Sequence, residues 1–162
     1  MRRDPSLALL VRAKAISKYN GRPHRIAHCF VMESQKRTGI TDCPLVSVVD
    51  DDESVRESLP DLLKEFGFVA RAFSSAEEFL SSDCVAKTRC LILDVFMPGM
   101  TGPDLQQELK RRRRHIPIVF MTAKKNETVR QYELEQGPVE CLFKPFNDTD
   151  LLEAINTALQ ID

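Results

Sequence analysis

Cys90-Leu91-Ile92-Leu93-Asp94-Val95-Phe96-Met97-Pro98-Gly99-Met100-Thr101-Gly102 is an apolar run that carries one carboxylate into a turn rich in Pro and Gly. A short, wholly apolar run that stops at turn residues reads as a strand buried on both faces, as in a parallel sheet covered by helices on each side. In such sheets ligands bind at the carboxyl ends of the strands. Asp94 is therefore where chemistry is expected, and the rest of the chain is read by the partners it brings there.

Outward from this run, apolar strand-like segments alternate with helix-like ones from Pro44 onward, the pattern of an α/β fold. Leu45 to Val49 reads as the first strand. Val55, Leu59, Leu62, Leu63 and Phe66 then recur at helical spacing up to Gly67, with Pro60 expected to kink that helix or to weaken it. Phe68 to Phe73 is a second strand, and Ser75 with Glu78 has the spacing of a capping box. Beyond Asp94, a helix is expected from Thr101 or Gly102 with Leu105 and Leu109 inward. Ile118 to Met121 is a fourth strand, a weakly striped helix follows over about Glu127 to Gln136, and Val139 to Phe143 is a fifth strand. Asn147 then caps a last helix with a stripe of Leu151, Leu152, Ile155, Ala158 and Leu159.

Composition bounds the rest. The chain has 162 residues, 43% hydrophobic and 29% charged, enough for one core and an appendage, and no apolar run approaches the length of a membrane span. Charge is divided unevenly: residues 1 to 43 carry nine Lys/Arg against three Asp/Glu, and residues 44 to 162 carry fourteen against twenty-one. The basic part holds a short helix-like segment from Ser6 to Lys18 and reads as a tail, or as sequence ahead of an alternative start at Met32; it lacks the features of a signal peptide. Five cysteines without a C-x-x-C pair suggest reduced, structural thiols and a cytoplasmic protein. Lys110 to Arg114, the densest basic run, reads as a solvated helix end that complements the dipole.

Four strand ends carry polar groups. The first runs into Asp50-Asp51-Asp52-Glu53, the third ends in Asp94, the fourth in Thr122, and the fifth in Lys144-Pro145. Parallel strands gather these ends at one rim. Clustered carboxylates repel one another and attract a cation, and an oxygen-only ligand set favours a hard one such as Mg²⁺.

These residues resemble the receiver domain of two-component response regulators, closest to the nitrogen-fixation regulator type. The likeness is carried by Val48-Val49-Asp50-Asp51-Asp52, Leu93-Asp94, Met97 to Gly102, Phe120-Met121-Thr122-Ala123 and Lys144-Pro145-Phe146. The intervals also fit: 43 residues from Asp51 to Asp94, 28 on to Thr122 and 22 on to Lys144. The resemblance implies a flavodoxin-like, five-stranded parallel sheet of order 2-1-3-4-5 with helices on both faces, over residues 44–162. Residues 1–43 are expected to be a basic, disordered extension. It further implies that Asp94 is the phosphoacceptor, charged by a sensor histidine kinase or phosphotransfer protein. Asp51 and Asp94 would ligate Mg²⁺ directly, Asp50 through water, and Phe96 by its backbone carbonyl. Thr122 and Lys144 would assist by contacting the phosphoryl oxygens, and the Lys144–Pro145 bond would be cis. Such a domain assists its own phosphotransfer and dephosphorylation but is not an enzyme in the ordinary sense. With the chain stopping soon after the last helix, no DNA-binding domain is expected, and output would pass to a protein target, with phosphorylation-dependent homodimerisation as a further expectation.

The sequence departs from the family pattern at Cys141, where Tyr or Phe is usual, so readout through a rotating ring is not expected there. Phe143, on the same strand face, is the alternative contact for a partner. Phe96 and Lys124 stand where the lifetime of the phosphate is often tuned. Two other readings compete. One is a receiver-like binding module that does not need phosphorylation. The other is a haloacid-dehalogenase-type phosphohydrolase with Asp50 as nucleophile, which leaves Asp94 without a role.

Overall fold

The computed structural model describes residues 43–123 and 140–160, which supply five strands and four α-helices. In chain order they are β1 (Leu45–Val49), α1 (Glu53–Glu65), β2 (Val69–Phe73), α2 (Ala76–Ser81), β3 (Thr88–Asp94), α3 (Gly102–Arg111), β4 (Ile118–Thr122), β5 (Glu140–Phe143) and α4 (Asp148–Leu159). The expectations for residues 1–42, for the helix over 127–136, for Lys124 and for Val139 lie outside the described residues.

All strand pairs are parallel and the sheet order is β2-β1-β3-β4-β5. The order reverses between β1 and β3, so a crevice opens at their carboxyl ends, beside Asp94. The apolar runs are central because both of their faces are covered. Val46, Val48, Cys90, Ile92, Val119 and Met121 join Leu59, Leu62 and Leu63 of α1 and Leu151, Ala154 and Ile155 of α4. The intervening residues Val49, Leu91, Leu93 and Phe120 join Ala76 and Phe79 of α2 and Leu105 and Leu109 of α3. Each fully buried Leu, Val or Phe contributes roughly 1.5–3 kcal/mol. Such burial fixes α2, which at six residues is too short to persist on propensity alone. In α4 Ala154, rather than the expected Leu152, completes the buried stripe.

The helix ends follow local chemistry. Asp52 caps α1 by accepting from Ser54 N at 2.9 Å. Gly67, at φ 88°, closes it, with Gly67 N donating to the Lys64 carbonyl and Phe68 N to that of Leu63. Phe68 is thus part of this closing turn, and β2 begins one residue later than the sequence suggests. Pro60 lies inside α1, which runs unbroken through it although Pro60 has no N–H to offer the carbonyl four residues back. α3 closes with the same hydrogen-bond pattern, but the left-handed position is taken by Arg113 at φ 56°. The expected capping box of α2 is only half formed. Ser75 Oγ accepts from Glu78 N at 3.1 Å, while the Glu78 carboxylate turns to Ser74, accepting from its N and Oγ at 2.7 Å.

Candidate functional site

Because all five strands run the same way, the ends of β1, β3, β4 and β5 meet at one rim. Asp50 and Asp51 follow β1, Asp94 ends β3, Thr122 ends β4 and Lys144 follows β5. Asp50 is fully buried and held on every side. Its Oδ1 accepts from Asp52 N at 2.9 Å, its Oδ2 from Lys144 Nζ at 2.6 Å, and its carbonyl from Arg56 Nη1 at 3.0 Å. Asp51, next in sequence, is exposed. Asp94 is buried, with Lys144 Nζ 3.6 Å from its Oδ1, a charge contact too long for a hydrogen bond. Lys144 therefore bridges two carboxylates and sits closer to Asp50 than to Asp94. Its backbone N–H donates to the Thr122 carbonyl at 2.8 Å, which ties the ends of β4 and β5 together. Thr122 is fully buried, and the Lys144–Pro145 bond is cis.

Electrostatics single out Asp94. Burial pushes its pKa from the ordinary 3.8 up to about 6, against the pull of the Lys144 ammonium and with added repulsion from Asp50 and Asp51. A carboxylate held at such a cost invites a counter-charge beyond the one lysine. Asp50, Asp51 and Asp94 each present a carboxylate oxygen, and these oxygens lie within 4.8 Å of one another. An octahedral Mg²⁺ with bonds of about 2.1 Å spaces its ligands by about 3 to 4.2 Å, so the residues present suit a hard divalent cation. Among the described residues this is the one group of potential metal ligands of that size.

The loop after Asp94 is fitted closely against its surroundings. Val95 and Met97 are buried, whereas Phe96 is 44% exposed. Thr101 caps α3 in a complete capping box with Asp104. Gly102, the first residue of α3, has no room for a side chain, since a Cβ there would lie 2.5 Å from the Asp94 carbonyl oxygen. Met100 N donates to Glu77 Oε1 of α2 at 3.2 Å. Glu77 and Arg56 are absent from the sequence reading. Both act on atoms brought near by the fold, and neither spacing nor periodicity marks them.

Comparison with known proteins bears on what this rim is for. The response regulator receiver domain model matches residues 46–156. The chain belongs to that family. The receiver is 42% identical over 118 residues to Nodulation protein W of Bradyrhizobium diazoefficiens, covering 73% of this chain and 52% of that protein. Among solved structures, the response regulator StyR superposes with a TM-score of 0.65 at 45% identity, covering 73% of this chain and 60% of the other. FixJ-N superposes with a TM-score of 0.64 at 34% identity, covering 72% and 94%. The flavodoxin-like fold and the sheet order expected from the sequence are thereby met. The receiver spans about half the length of the curated relatives it matches. The phosphohydrolase alternative does not fit this family, and its nucleophile, Asp50, is buried with both oxygens already engaged. Among the described residues, no helix is long and apolar enough to cross a membrane.

Proposed function

We propose that this receiver is a cytoplasmic signalling domain that takes a phosphoryl group onto Asp94 from a phosphohistidine of a sensor kinase or phosphotransfer protein. The observation that carries the reading is the convergence of Asp94 with Asp50, Asp51 and Lys144 at the crevice between β1 and β3. An Asp94 carboxylate oxygen attacks phosphorus, the P–N bond breaks, and its electron pair leaves with the histidine nitrogen, which then takes up a proton. Asp51, Asp94 and the Phe96 carbonyl are the proposed direct ligands of Mg²⁺, which when bound would neutralise the phosphoryl oxygens. Asp50, with both oxygens engaged, is suited to help through water and to anchor Lys144. The Lys144 ammonium, already 3.6 Å from Asp94 Oδ1, is close enough to follow charge onto the new phosphoryl group. The Thr122 hydroxyl would hydrogen-bond a phosphoryl oxygen, and its shift would bias β4 and β5 between two arrangements.

Output passes to a protein target, with Phe143, half-buried on β5, in the contact surface for that target or for a phosphorylation-dependent homodimer. The exposed Phe96 ring hinders the water that would remove the phosphate, so Phe96→Ala should shorten its lifetime. The deciding experiment is incubation with acetyl phosphate and Mg²⁺, followed by intact-mass analysis and peptide mapping. One phosphoryl group is expected on Asp94, absent in Asp94→Asn and lost on chelation. No label would leave the binding-module reading in place, and a label on another residue would refute Asp94 as the acceptor.

A further inference from the structure

The loop that leads from Asp94 to α3 is tied down at four amides, one of them Thr101 N, which donates to Asp104 Oδ2 at 3.1 Å in the capping box of α3. Val95 N donates to the Met121 carbonyl at 2.9 Å and Gly102 N to the Val95 carbonyl at 3.1 Å. The remaining tie reaches farther: Met100 N donates to Glu77 Oε1 at 3.2 Å, a side chain on a helix 23 residues earlier in sequence. The loop is shaped around that carboxylate. Gly99 turns there at φ +75°, and a Cβ at Gly99 would stand 3.2 Å from the same Glu77 Oε1.

Glu77 also stands on a fixed platform. Two residues on, Phe79 is fully buried and meets Phe73 of β2 edge to face at 5.3 Å, which holds α2 against the sheet. Nor is Glu77 needed to cap its own helix. Ser75 supplies the N-cap, and Glu78 holds Ser74 N and Oγ. Where the loop enters α3, that helix lies against the Asp94 carbonyl and Gly102 leaves no space for a side chain. The Val95–Thr101 loop is thus held both by α3 and by a carboxylate delivered by α2.

The geometry points to Glu77 as a positioning residue for phosphoryl transfer. By accepting from the Met100 amide it fixes the loop, and with it the aim of the Asp94 side chain and the Phe96 carbonyl. This rests on the reading of Asp94 as phosphoacceptor. The charge of Glu77 is incidental; what acts is an acceptor oxygen at the right reach.

Glu77→Ala removes the acceptor, and Glu77→Gln keeps an oxygen at the same reach without the charge. Three quantities are measured on each variant: hydrogen exchange at the Met100 amide, Mg²⁺ affinity by calorimetric titration, and the rate of phosphorylation by acetyl phosphate. In Glu77→Ala, Met100 exchange should quicken about fivefold, the worth of one such hydrogen bond. Phosphorylation should slow roughly tenfold, as expected of a displaced reacting group, with weaker Mg²⁺ binding. Glu77→Gln should restore all three to within about twofold. Unchanged Met100 exchange in Glu77→Ala would overturn the tie. Faster exchange with unaltered phosphorylation and Mg²⁺ affinity would overturn the positioning role, as would a loss that Gln does not restore. If the unaltered chain is not phosphorylated on Asp94, that reading fails by itself, while Met100 exchange and Mg²⁺ affinity still decide whether Glu77 fixes the loop and the cation site.

Discussion

Replacing Asp94 with Asn should make the metal-free receiver more stable, by an amount that grows with pH. Asp94 is 7% exposed, and its pKa rises from 3.8 to about 6 on folding. Between those values the folded state binds more protons than the unfolded one, so stability falls as pH rises through the window and levels off above it. The full difference of about 2 pKa units corresponds to about 3 kcal/mol. Integrated over the titration, the Asp94 penalty at pH 5 is about half of the full value, which is reached by pH 8. Asn is neutral throughout and leaves Lys144 with its nearer partner, Asp50 at 2.6 Å. Urea unfolding in the presence of a chelator at the two pH values would therefore show a gain for Asp94→Asn at pH 8 about twice that at pH 5. Added Mg²⁺ should nearly cancel the difference at pH 8, because the wild type keeps all three carboxylates and gains about 2.7 kcal/mol at a hundredfold excess over its dissociation constant. A gain that is absent, or no larger at pH 8 than at pH 5, would refute the placement of a strained buried charge at Asp94.

Three further changes test the surrounding frame by urea unfolding. Pro60→Ala returns a hydrogen bond to the interior of α1 and should add about 1–2 kcal/mol. Arg113→Gly relieves a left-handed residue at the end of α3 and should add about 0.5–1 kcal/mol, whereas Arg113→Ala should add nothing. Gly102→Ala drives a Cβ to within 2.5 Å of the Asp94 carbonyl and should cost about 1–3 kcal/mol. The same variant should bind Mg²⁺ more weakly, because the Asp94 backbone must give way; unchanged affinity would show that α3 moves instead.

The parts of this molecule that were readable in advance are those in which local chemistry and tertiary need coincide. Leu91 to Asp94 is apolar because both of its faces are covered, so the run announces its own burial. Asn147 and Thr101 cap α4 and α3 with their own side chains, contacts that span three residues. Asp50, Asp51, Asp94 and Lys144 were legible together because parallel strands bring their ends to one rim whatever the details of packing. The choice of Glu78 between Ser75 and Ser74 was not, since both partners lie within reach and only the final turn geometry decides. Nor was the left-handed end of α3, where an Arg stands in place of the glycine that marks the end of α1. Glu77 was hidden for a different reason: its partner is a backbone amide, which every residue but proline carries and no sequence pattern displays.

The ion pair between Lys144 and Asp50 closes a span of 94 residues. A nascent chain that has emerged only as far as β4 already holds every carboxylate of the rim, with no lysine to offset them. The rim then repels itself, and β4 offers an unpaired edge until β5 arrives. Completion is therefore late within the domain: the carboxylates of the rim gain their offsetting lysine only with β5, the last of the five described strands.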